Sequence, residues 1–226
     1  MVATGFAAGL LFAGQASAVN SFIETFDTDN SGWGDPTGSP GGAEHNQAGG
    51  FISTSGAFGE IGQGVLFRGN GPAGASGNAF SGNWIADGVT QFSVDVRHNS
   101  AVPLNFFARF ASPFNFPGAT AVKFAPVLGN QWTTLTFDIA PNPQFGAPNF
   151  VTFEGSDFAT VFGNLGRVQV GVSEPDGWEN NPALGGTFTF DLDNASITVV
   201  PEPSGTLLAM VGGMLVMLRR NRGRKS

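Results

Sequence analysis

Four tryptophans and a sparse set of acids carry most of the chemistry available to residues 19–200. The loop from Glu174 to Gly186 reads EPDGWENNPALGG, with Asp176, Glu179, Asn180 and Asn181 around Trp178. An indole flanked by amides and carboxylates suits a pyranose ring. The aromatic face takes the sugar C–H groups, and the polar neighbours take the hydroxyls. Trp178, with Asp176 and Asn180, is therefore the first candidate for sugar contact, and Trp84 in SGNWIADG is the second. Trp132 heads an apolar strand and is expected in the core, whereas Trp33 suits either role. The alternative is that all four indoles are structural.

A second pattern lies in DTDNSGWGDPTG, where Asp27, Asp29, Ser31, the Trp33 carbonyl and Asp35 alternate, with Gly32 at the turn. This imitates the start of a helix-loop-helix calcium loop, but the twelfth position is Gly38, where a bidentate Glu is required. Enzyme signatures are missing. His45 and His98 stand far apart, there is no cysteine, and neither Gly-x-Ser-x-Gly nor His-Glu-x-x-His occurs. Gly69 to Gly74 matches Gly-x-Gly-x-x-Gly, but Pro72 and the glycine-rich continuation deny it the helix start that a pyrophosphate needs, so it reads as a loop. A pair of carboxylates for glycoside hydrolysis is a spatial property and stays open.

The elements that must position these groups are strands. TQFSVDVRH alternates with Phe92, Val94 and Val96 on one side and Ser93, Asp95 and Arg97 on the other. SFIETF, GGFISTS, GVLFR, LNFFARF, TAVKFA, WTTLTFDI, RVQVGVS and GTFTFDLDNASITVV complete the set, with Gly, Pro and Asn between them. No amphipathic helix of ten or more residues is evident in the body. The reading is all-β, an antiparallel β-sandwich of the jelly-roll kind. With 23 phenylalanines and no cysteine, aromatic burial rather than disulfides must hold it. Formal charge is −7, although Arg219, Arg220, Arg222, Arg224 and Lys225 crowd the last eight residues. The body is thus strongly acidic, which argues against nucleic acid as a partner.

Both ends read as addresses. An apolar run from Phe6 to Ala13 precedes Ala16-Ser17-Ala18, a small-x-small signal-peptidase pattern, so residues 1–18 are expected to be a signal peptide, although no Lys or Arg precedes the run. At the other end, Gly205 to Leu218 is uncharged. As a helix it would reach about 21 Å, against roughly 30 Å of bilayer hydrocarbon. The arginines behind it would stay cytoplasmic.

Pro201-Glu202-Pro203, a short transmembrane helix and an Arg-rich end together resemble the PEP-CTERM sorting signal, over residues 201–226. The resemblance implies recognition by an exosortase, removal of the helix and transient residence in the inner membrane. Pro201, Glu202, Pro203, Arg219, Arg220 and Arg222 would be the sorting residues. The body would then be exported to the cell surface or extracellular matrix. FIETFDTDNSGW, QWTTLTFDI and FTFDLDNASI resemble, in order, segments of carbohydrate-binding modules and laminin-G-like jelly rolls. That second resemblance implies a structural calcium ion joining first and last strands, with Glu24 and Asp27 as the early acids and Asp191 and Asp193 as the late ones. The expectation is a non-enzymatic surface protein that binds exopolysaccharide. A secreted glycan-active enzyme on the same scaffold is the alternative.

Overall fold

Period-two alternation governs the central strands. The computed structural model describes residues 21–60, 64–141 and 150–200, so the expected signal segment and the Pro-Glu-Pro tail lie outside the described residues. Strand β5 (Val89–His98) turns Phe92, Val94, Val96 and His98 inward and leaves Ser93, Asp95 and Arg97 on its outer side. Its partner β11 (Thr187–Val199) is long enough to pair with three other strands. β3 (Phe51–Ala57) takes residues 187–192, β1 (Phe22–Glu24) takes residues 195–197, and β5 runs along the opposite edge. β2 (Glu44–Asn46) and β8 (Thr133–Asp138) complete the first sheet, ordered β2-β3-β11-β5-β8.

The second sheet is ordered β4-β10-β6-β7-β9. Its strands are β4 (Val65–Asn70), β6 (Phe106–Ala111), β7 (Gly118–Val122), β9 (Phe150–Thr152) and β10 (Arg167–Val172). Both sheets are antiparallel throughout, as expected for a β-sandwich. β2 and β9 do not stand out in the sequence. Each has only three residues, too few to show alternation.

Phenylalanine joins the layers. Phe92 of the first sheet meets Phe110 of the second edge to face, with centroids 5.6 Å apart. Phe110 also packs on Trp84 and Phe162, at 5.7 and 5.3 Å. Each such ring contributes about 1.5–3 kcal/mol by burial, plus an edge-to-face term. The short helix α1 (Phe158–Phe162) closes this end. Its N-terminus is capped by the Asp157 carboxylate, which accepts from the Thr160 amide at 2.7 Å. Hydrogen bonding from the Thr160 side chain, then from its amide, holds the Asp157 carboxyl below its ordinary range. Gly69 fits the same close packing, since a Cβ there would stand 2.8 Å from the Trp33 ring. The Gly-x-Gly-x-x-Gly run is thus a strand end followed by 3₁₀ turns, folded against an indole.

Among the described residues, no helix is long and apolar enough to cross a membrane.

Candidate functional site

The outer face of the first sheet carries an aromatic and charged patch. Along β8, Leu135 and Phe137 enter the core, and Thr134 and Thr136 face outward with Trp132 at the head of their row. Trp132 is 41% exposed, contrary to the expectation that it packs inside. Its ring meets the edge of Phe51 at 5.5 Å, and the Arg97 guanidinium lies 4.5 Å from the Trp132 centroid and 5.0 Å from that of Phe51. Arg97 is fixed by Asp191, which it contacts at 2.7 Å through Nη2 and 2.8 Å through Nε. The second Asp191 oxygen accepts from Ser53 Oγ at 2.7 Å. An aromatic pair is thereby clamped by a cation that is itself clamped, which keeps the ring surface ordered without a ligand.

Beside this row lies an acidic one. Asp193 of β11 stands directly opposite Asp95 of β5, an arrangement of like charges that a bare sheet disfavours. A bulge after Asp193 relieves it. Asn194 adopts a φ of 50° there. Its side-chain nitrogen donates to Asp95 Oδ2 at 2.9 Å and to Asp193 Oδ2 at 3.3 Å. Thr134 donates to the other Asp95 oxygen at 2.5 Å. Partial burial, then the neighbouring Asp95 and Asp27 charges, push the Asp193 carboxyl above its ordinary range, against the bond from the Asn194 amide. The patch therefore presents a flat indole and phenyl pair, a guanidinium, two partly exposed carboxylates and an amide, a set able to stack on a ring and bond to its hydroxyls.

The sequence-derived candidates divide. Trp178 is half-buried, in a 3₁₀ turn with Asn180, and its ring leans on Phe58 at 6.3 Å. Asp176 and Asn180 share its loop and are exposed. Trp84 is 1% exposed and lies in the core, so it offers no face to a sugar; its loop is covered by Phe110 and Phe162. Trp33 is also fully buried, donating to Ser76 Oγ at 2.8 Å. The expected calcium set does not assemble as drawn. Asp191 is committed to Arg97 and Ser53, Glu24 Oε1 accepts from the Phe26 amide at 3.3 Å, and the Asp27 charge acts on Asp193. No three acidic or imidazole groups among the described residues are grouped to hold a metal ion. Asp29 and Asp35 of the calcium-like loop instead close local turns onto Ser31 and Thr37. Among the described residues, the hydrogen bonds of the histidine side chains run to backbone groups. His45 Nε2 contacts the Phe26 carbonyl at 2.7 Å, and His98 Nε2 the Val127 carbonyl at 3.0 Å.

No protein-family model matches the chain, and no curated protein matches it in sequence. Solved structures of similar shape include the family 11 carbohydrate-binding module of a cellulosomal cellulase from Clostridium thermocellum, at 13% identity and TM-score 0.42, covering 83% of this chain and 99% of that one. The L4b domain of human laminin alpha-2 is similar at 11% identity and TM-score 0.41, over 81% and 99% of the two chains. The CBM22-1 and GH10 modules of a Clostridium thermocellum xylanase, complexed with xylohexaose, match at 13% identity and TM-score 0.40 over 80% of this chain. The chain spans 28% of the length of that last structure.

Proposed function

We propose that this protein is an exported cell-surface or matrix component whose β-sandwich binds a polysaccharide on the outer face of its first sheet. The observation that carries the reading is the exposed Trp132, held against Phe51 by an Arg97 that Asp191 anchors. Exposed aromatics on an ordered strand face stabilise a sugar ring at small entropic cost, because little side-chain freedom remains to be lost. Asp95, Asp193 and Asn194 supply the adjacent acceptors and donor. Export rests on the residues at the two ends. The Ala16-Ser17-Ala18 site would release the N-terminus to signal peptidase, and the Pro201-Glu202-Pro203 tail would present the body to an exosortase.

The test is an array of soluble polysaccharides with a parallel assay for reducing-end release. Retention without release is expected. Trp132→Ala should weaken the retained interaction by about 1 kcal/mol or more, roughly fivefold or greater, in a protein that stays folded with at most a modest fall in melting temperature. Release of reducing ends would move the assignment to a glycan-active enzyme, and unaltered affinity in Trp132→Ala would remove this face from the reading.

A further inference from the structure

The opposite face of the sandwich holds a concentration of positive charge that the acidic composition does not foreshadow. Only five cationic side chains precede residue 219: Arg68, Arg97, Arg109, Lys123 and Arg167. Three of them, Arg68, Arg109 and Arg167, stand on adjacent strands of the second sheet. Gln169 of β10 is in register with Arg68 of β4 on one side and Arg109 of β6 on the other. Arg109 is fully engaged. It forms a two-pronged pair with Glu154 at 2.6 and 2.8 Å and also bonds to Asn115 and Gln169. Arg68 and Arg167 are not. Among the described residues neither pairs with a carboxylate, and each donates to one backbone carbonyl, Arg68 Nη2 to Pro36 at 3.3 Å and Arg167 Nε to Pro113 at 3.1 Å.

These two guanidinium groups line a cavity of about 230 Å³, floored by β4 and β10 and walled by Gly34, Thr37, Gly38 and Pro40. Arg68 Nε is buried there without a hydrogen-bond partner, and so is the Asn70 side-chain oxygen, Asn70 being a lining residue too. An unmatched buried donor costs about 1–3 kcal/mol, and more when it carries charge. Burial, then Arg109 and Arg167, push the Arg68 guanidinium below its ordinary value, and Asp35 alone opposes them. Gly38, at φ 85°, lies against this side chain, and a Cβ there would stand 3.8 Å from Arg68 Cδ and Nε. An anion in the cavity would balance the two guanidinium groups, Arg68 and Arg167, that no carboxylate among the described residues answers. The volume falls short of the roughly 300–1,000 Å³ of extended ligand sites, so the occupant is a single group rather than a run of sugars.

We propose that this cavity is an oxyanion site that takes the carboxylate of an acidic sugar, a uronate, with Arg68 and Arg167 as its cationic arms. The oxyanion chemistry stands on the cavity alone; the choice of a sugar acid over a free anion rests on the polysaccharide reading above. Calorimetric titration of the full chain with trigalacturonate, its methyl ester and inorganic phosphate separates the two. Trigalacturonate should bind, with affinity falling as salt rises from about 50 to about 500 mM. The ester, which has the same rings without the charge, should not bind. Arg68→Gln and Arg167→Gln should each weaken the acid about tenfold or more, as expected for loss of a charged hydrogen bond, while circular dichroism stays native. Trp132→Ala should leave this binding unchanged, so a failed platform does not imitate a failed cavity. Equal binding of acid and ester, or acid binding retained in both folded arginine variants, overturns the site. Phosphate binding without trigalacturonate binding overturns its assignment to a sugar acid.

Discussion

At the residue scale, His98 shows how burial fixes a protonation state. It is 1% exposed, its Nδ1 accepts from the Ser100 amide at 3.2 Å, and its Nε2 faces the Val127 carbonyl. An Nδ1 that accepts cannot carry a proton, so the ring is neutral with hydrogen on Nε2. Burial lowers its pKa from the ordinary 6.5, against a smaller opposing effect of the Val127 bond. The unfolded chain therefore binds more protons than the fold in the window between the depressed value and 6.5. Stability from this group is complete above that window and is lost as pH falls through it. The melting temperature should drop between pH 7 and pH 5, and His98→Gln should flatten that drop; parallel slopes in the two proteins would refute the assignment. Trp132 illustrates the reverse problem of reading single residues. WTTLTFDI places Trp132 out of phase with Leu135 and Phe137, so its exposure was legible in the alternation and was obscured only by its hydrophobic type. The burial of Trp84 was not legible locally, because its cover comes from Phe110 and Phe162, far along the chain.

At the element scale, β11 organises the candidate surface. Its alternation was readable in FTFDLDNASI, and the outward placement of Asp191 and Asp193 follows from it. Their different fates were not readable, because they depend on register with β5, which sets Arg97 opposite Asp191 and Asp95 opposite Asp193. The same non-local pairing gathers Arg68, Arg109 and Arg167, which are dispersed in sequence. The bulge at Asn194 reconciles the acidic pair with a continuous strand, and its left-handed φ of 50° suits Asn or Gly. Asn194→Val should cost about 1–2 kcal/mol from the backbone alone, a fall of about 2–8 °C in melting temperature. It also removes the donor to Asp95 and Asp193. Asn194→Gly keeps the backbone and loses only that donor, so it should melt above the Val variant. A Val variant as stable as the Gly variant would mean that the bulge does not demand this conformation.

At the scale of the whole molecule, the two ends of the sandwich meet. β1 pairs with the last third of β11, Ser21 Oγ accepts from the Val199 amide at 3.0 Å, and the Val200 amide donates to the Gly88 carbonyl at 3.1 Å. The expected cleavage points, after Ala18 and near Pro201-Glu202-Pro203, thus border strands bonded to each other. Cutting at either leaves these pairings intact, so a processed body should retain its fold while changing its location. Under the proposed sorting, the tail would act on destination and not on stability. Replacing Pro201, Glu202 and Pro203 together with alanine keeps the apolar run and the arginines but removes the proposed recognition element. The variant should accumulate with its C-terminus intact in the inner-membrane fraction, read by mass spectrometry, and its sandwich should melt at the wild-type temperature. Release of that variant into the medium, trimmed at the same bond, would mean that the prolines merely end β11 and that another feature of the tail directs the protein outward.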